Sequence, residues 1–239
     1  MEKIVFRVLI VTSACSLAEK HLFVQRSLDW SAARDWCREH HTDLSPISSS
    51  LVEQAFIMSV GKQHSGWIGL YWDQPQAIWK WAGAGQVTYQ NWKNTMDLSQ
   101  ALLTTNAFWT GDGWFPEMGY TGRNFFCISL KIVEEKKAWE QAVAHCRDSY
   151  TDLTSLLSDA ETKLAQNEME RHDITEPMWI GLRFLGDRWL WVNGDTLVDT
   201  AWSQGEGQVC PMVKRCGALT TEGLWEERDC QEKLKFICI

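Results

Sequence analysis

The chain has 239 residues and a formal net charge of −8 at pH 7, with 23 Lys and Arg against 31 Asp and Glu. That balance argues against nucleic-acid binding, which needs basic patches to neutralise phosphates; residues 130–239 alone carry thirteen basic against twenty acidic groups, a balance of −7. Beyond the N-terminus no stretch reaches the roughly 18 apolar residues of a membrane span, so none is expected.

In chain order, residues 1–18 read as a signal peptide. Lys3 lies in a short charged start, Val8-Leu9-Ile10-Val11 begins an apolar run, and Ser16-Leu17-Ala18 offers small residues before a cut. Arg7 interrupts the run, and an amphipathic first strand is the competing reading. Leu22-Phe23-Val24 reads as a strand. Trp30, Ala33 and Cys37 then share one helical face at i, i+3 and i+7. Ser50-x-x-Glu53 reads as a capping box opening a second helix. Trp67-Ile68-Gly69-Leu70 reads as a strand whose glycine admits a close backbone neighbour, and Trp79-x-Trp81 alternates as strands do. Residues 93–113 are polar and Gly-rich and are expected as a long loop, with Trp109 beside Phe108 exposed as an interface anchor. Asn124-Phe125-Phe126-Cys127 closes the segment as a strand.

The same series then starts again. Trp139, Cys146 and Thr151-Asp152-Leu153 repeat Trp30, Cys37 and Thr42-Asp43-Leu44 at an offset of 109. Trp179-Ile180-Gly181-Leu182 repeats the Trp67 motif at 112, Trp189-x-Trp191 and Trp202 follow at 110, and Trp225 and Cys238 at 111. Six of the fifteen tryptophans are thus matched by six others, which chance does not explain. Ser158-x-x-Glu161 repeats the capping box, and residues 203–224 repeat the long polar stretch. A period near 110 residues exceeds a solenoid unit of roughly 20–50 residues and matches a whole domain. The predicted boundaries are 20–129 and 130–239, with almost no linker and limited freedom between the copies.

Eight cysteines are present, and Cys15 falls in the leader. Cys37 and Cys127 bracket the first copy as Cys146 and Cys238 bracket the second, which suggests those pairings in an oxidising compartment. Cys216 and Cys230 lie inside the second copy. Counting back from the closing cysteines sets Cys230 opposite Gly119, and the Ala-Leu-Leu-Thr-Thr run sets Cys216 opposite Gln100. The first copy lacks both partners at once, as one bond requires. Cys210 is left over, either as a buried thiol or as a disulfide link to a second chain.

The helix Trp-x-x-Ala-x-x-x-Cys, then Trp-Ile-Gly-Leu, Trp-x-Trp, and a Trp before the closing Cys resemble the C-type lectin domain, in both copies and across 20–239. The resemblance implies an α+β fold: two C-type lectin-like domains, each with two helices, small antiparallel sheets and a long loop region that forms the usual ligand face. It also implies a sugar site in which Ca²⁺ is held by a Glu-Pro-Asn or Gln-Pro-Asp loop, a further Glu and a Trp-Asn-Asp strand, since Ca²⁺ takes about 6–8 oxygen ligands. This chain departs from that pattern. The second copy reads Gly205-Glu206-Gly207-Gln208, then Lys214 where the further Glu is expected, then Trp225-Glu226-Glu227. The first copy reads Lys93-Asn94-Thr95-Met96 and Trp114-Phe115-Pro116, without the ligands.

Glu206, Gln208, Glu226, Glu227 and Trp109 are therefore the candidate ligand contacts. Glu206, Glu226 and Glu227 are alternatively a degenerate Ca²⁺ site or a solvated acidic loop. No nucleotide loop, Gly-x-Ser-x-Gly, His-Glu-x-x-His or Cys-x-x-Cys occurs, and Glu226 and Glu227, as strand neighbours, point to opposite faces. The expectation is a secreted, non-enzymatic recognition protein for carbohydrate, glycoprotein or protein ligands, with no required cofactor. The competing readings are a Ca²⁺-dependent carbohydrate-binding lectin acting through the second copy and a non-lectin secreted scaffold or defence protein.

Overall fold

A computed structural model describes residues 20–93, 105–197, 202–203 and 211–239. Strand β1 (His21–Leu28) leads into helix α1 (Trp30–His40), where Asp29 caps the helix by accepting the Ala32 N–H at 2.8 Å. Trp30, Ala33 and Cys37 are its buried face, as their spacing predicts. Strand β2 (Asp43–Leu44), helix α2 (Ser50–Val60), and strands β3 (Gly66–Asp73), β4 (Ile78–Trp81) and β5 (Gly85–Gln86) follow. Strands β6 (Asn106–Thr110), β7 (Gly113–Glu117) and β8 (Arg123–Ile128) complete this half. The second half runs β9 (Lys131–Lys137), α3 (Trp139–Ser149), α4 (Asp159–Arg171), β10 (Met178–Leu185), β11 (Arg188–Trp191), β12 (Cys216–Leu219), β13 (Trp225–Arg228) and β14 (Leu234–Cys238).

Among the described residues the strands form two sheets, one per half. The first has the path β1-β8-β3-β4-β5, with β2 on β8 and the β6-β7 hairpin on β3; the second has β13-β12-β10-β14-β9, with β11 on β10. The sheets are mixed, not purely antiparallel: β8 pairs antiparallel with β1 but parallel with β3, and β14 does the same between β9 and β10. The closing strand enters between two strands that run in opposite directions, so it must be parallel to one of them.

The tryptophan repeat is a repeat of contacts. Trp30 and Trp139 donate their indole N–H to Ile68 O and Ile180 O, each at 2.9 Å. Trp81 meets Trp114 edge-on at 5.3 Å, and Trp191 meets Trp225 at 5.1 Å. Gly69 and Gly181 sit where a Cβ would come 2.9 Å from Leu44 O and Leu153 O, the close approach expected of them. Disulfides join Cys37 to Cys127, Cys146 to Cys238 and Cys216 to Cys230.

Four expectations are corrected. Residues 93–113 and 203–224 contain strands β6 and β12, because Ala107 and Trp109 alternate onto the core and Gly113, with φ 146°, turns the chain back into β7. The cap of α2 is Ser49, whose hydroxyl accepts the Val52 N–H at 3.1 Å, and Ser50 is already helical. In the second box Ser158 does cap α4, but Glu161 reaches the N–H of Leu157 at 2.7 Å. The partner of Cys216 by position is Asn106, not Gln100: Cys216 pairs across to Arg183 as Asn106 pairs to Tyr71.

The halves meet along a seam, with only residues 129–130 between β8 and β9. The two cap regions touch there, Ser48 Oγ to Ser158 Oγ at 2.7 Å and Ser49 Oγ donating to Leu157 O at 3.3 Å. Asn167 of α4 donates to Gly83 O at 2.7 Å, and Ile128 lies in the second half's core.

Candidate functional site

The candidate acidic site of the second half sits on β13. Glu226 lies opposite Ala218 and Glu227 opposite Gly217 on β12, which the Cys216–Cys230 disulfide ties to the loop after β13. Neighbouring strand residues face opposite ways, so the two carboxylates do not converge. Glu226 Oε1 is held by Arg228 Nη2 at 2.7 Å and Nε at 2.8 Å, and Arg228 Nη1 reaches Glu232 Oε2 at 3.1 Å. Desolvation would lower the Arg228 guanidinium, but Glu226 and Glu232 outweigh it and raise it further. A cation at Glu226 would have to displace this fork of charge-assisted hydrogen bonds. Glu206, Gln208 and Cys210 lie outside the described residues, as do the leader and Cys15. Among the described residues no three His, Cys, Asp or Glu side chains gather to hold a metal.

In the first half the same strand positions carry different chemistry. β7 presents Trp114, Phe115 and Pro116, and Phe115 stacks on Phe108 of β6 at 5.5 Å and 21°. The Arg123 guanidinium lies over Phe108 at 3.6 Å, with Glu117 as its ion-pair partner. Phe108, Phe115 and Arg123 are all half-buried, and together they form an aromatic and cationic surface. A second half-buried row runs Trp72, Trp79 and Trp92, at 5.7 Å and 4.9 Å between successive rings. Sequence reasoning named Phe108 only as a neighbour; the stacking signal was that Phe108 and Phe115 fall on facing strands of one hairpin.

Trp109, expected as an exposed anchor, is a core residue with 0 % exposure. Its ring packs edge-on to Phe56 at 4.9 Å and Phe126 at 5.8 Å, and its N–H reaches Glu53 at 3.4 Å. The β6 alternation buries it and leaves Phe108 half-buried on the opposite face, edge-on to Trp67 and under Arg123. Glu53 also accepts the Tyr89 hydroxyl and the Asn91 amide, each at 2.7 Å. Burial first, and then Glu53, push the Tyr89 phenol up to about 12.

The Lectin C-type domain family model matches residues 26–112 and 135–239, and the chain belongs to that family. Human lymphocyte antigen 75 is 26 % identical over 90 % of this chain, which spans 15 % of that protein. The secretory phospholipase A2 receptor of Bos taurus is 25 % identical over 89 %, of which the chain spans 17 %. C-type lectin lectoxin-Phi1 of Philodryas olfersii is 26 % identical over 53 % of the chain and 80 % of its own length. Human lithostathine matches in structure over 46 % of this chain and 88 % of its own, at 23 % identity and a TM-score of 0.42. The chain therefore spans about a sixth of the first two relatives.

Proposed function

We propose that the chain is two C-type lectin-like domains in tandem, forming a secreted, non-enzymatic recognition protein that binds carbohydrate, glycoprotein or protein ligands without the family's usual Ca²⁺-dependent sugar site. The observation that carries the reading is the pairing of Glu226 with Arg228, at the strand position where the first half has Phe115. One position is neutralised by a guanidinium and the other has no oxygen to offer. The aromatic surface of Phe108, Phe115 and Arg123 is the proposed ligand contact of the first half, since aromatic and Arg side chains dominate protein recognition energetics. One relative is named as a receptor for a secreted phospholipase, which favours a protein ligand here. A glycan array and a secreted-protein array, each read with and without chelator, test the proposal; chelator-insensitive binding on either supports it, and sugar binding abolished by chelator refutes it.

The second reading is a Ca²⁺-dependent lectin acting through the second half. It is favoured by the carboxylates that half retains, Glu226 and Glu227, beside the Cys216–Cys230 bond. A disulfide-linked dimer through Cys210 is a further proposal, read by non-reducing electrophoresis of wild type and Cys210→Ser.

A further inference from the structure

Lys20 and His21 open the first half, but both side chains meet the second. Lys20 Nζ donates to Ser155 O at 2.8 Å and to Glu161 Oε2 of α4 at 2.7 Å. The other oxygen of Glu161 faces His21 Nε2 at 3.6 Å, while His21 Nδ1 lies 3.1 Å from Ser45 Oγ. Phe56 of α2 closes the cluster edge-on to the imidazole at 5.3 Å. All three charged or titratable side chains are 4 % exposed or less.

The charges decide how this cluster behaves. Lys20 and Glu161 cancel each other, so among these three side chains a proton on His21 is uncompensated, and only the half-buried Asp195 offsets it. A proton on His21 leaves one net positive charge in a buried site, which is strongly unfavourable without a further partner. Asp195 stands one step away behind the Ser155 hydroxyl, which donates to it at 2.5 Å. We propose that Lys20, His21 and Glu161 form an acid-sensitive latch that holds the two halves together at neutral pH and frees the seam when His21 takes a proton.

Burial lowers His21 below its ordinary 6.5, against the raising influence of Glu161 and Asp195 and with the help of Lys20. A released imidazole therefore takes a proton before a latched one, and the closed seam loses stability as pH falls through 6.5. His41, also lowered by burial with Lys131 and His40 nearby, acts with the same sign. For Glu161, burial would raise the carboxyl; Lys20 and His21 overcome it and bring it down to about 2, so its contribution is lost only below its ordinary 4.5. Two carboxyls act in the opposite sense. Asp43 beside Arg38, and Glu168 beside Arg171, His172 and Lys131, are raised by burial and hold their protons better in the closed state. The His21 contribution is therefore lost as pH falls below 6.5, and the Glu161 contribution only as pH falls from 4.5 toward about 2.

The test is amide hydrogen exchange of the protein at about pH 7 and about pH 5, with the intrinsic pH dependence divided out, for wild type and His21→Gln. Protection across residues 42–48 and 154–162 is expected to fall about tenfold in wild type relative to strands β3 and β10. His21→Gln should show less than about a third of that response. Equal loss in both proteins, or undiminished protection in wild type, overturns the proposal. Should His21→Gln not fold, the wild-type imidazole followed by NMR decides it: His21 must titrate in step with the seam amides, and titration while the seam stays protected overturns it.

Discussion

Gly119 lies against Asn106 in the first half as Cys230 lies bonded to Cys216 in the second. A Cβ at Gly119 would fall 2.2 Å from Asn106 Oδ1, and Gly119 O and Cys230 O accept the N–H of Trp30 and Trp139 at 2.8 Å and 2.9 Å. The two halves thus keep the geometry of this crossing while only one has the covalent bond. Cys216→Ala with Cys230→Ala should cost about 3 kcal/mol, the loop-closure value for a bridge of this span. Asn106→Cys with Gly119→Cys should form a bond in the oxidised protein and raise its thermal midpoint. Mass spectrometry and denaturant unfolding read both.

Trp109→Ala should destabilise by about 3–5 kcal/mol, because a large side chain with no exposure leaves a cavity. Phe115→Ser, on the outward surface, should cost much less stability and weaken binding to a ligand of the first half about tenfold or more, the loss of one interface anchor. Urea unfolding and surface plasmon resonance on both variants separate the two roles; equal stability losses would contradict this assignment.

Tyr89 gives an alkaline signature. Its phenol is held near 12, above the ordinary 10, so the unfolded chain ionises first. Stability supplied by the neutral phenol is present below pH 10 and is lost as pH rises from 10 through 12. Tyr89→Phe should flatten the fall in stability over that range, read by chemical unfolding at a series of pH values.

Much of the fold was legible because its signals were covalent or periodic. Trp30, Ala33 and Cys37 marked a helix face, the two Trp-Ile-Gly-Leu segments marked the central strands, and the bracketing cysteines marked the bonds that close each half. The site was less legible. Trp109 and Phe108 are adjacent in sequence, and only their place in β6 decides that Trp109 is fully enclosed beside Phe56 while Phe108, beside Trp67, keeps one side exposed. The burial of Glu161 was hidden for another reason: its partners Lys20 and His21 come from the far end of the chain, and a Ser-x-x-Glu pattern reads the same whether the carboxylate caps its own helix or pairs across a seam. The Glu226–Arg228 pair was available from spacing two along a strand, where side chains share a face.

The most direct measurement is isothermal titration of Ca²⁺ into the protein, with the thermal midpoint taken in parallel with and without chelator. The account predicts no binding heat and an unchanged midpoint, because Arg228 already occupies Glu226 and Phe115 and Pro116 stand at the corresponding strand positions of the first half. Binding of one equivalent with a chelator-sensitive midpoint would contradict it and would make a calcium-held sugar the leading ligand.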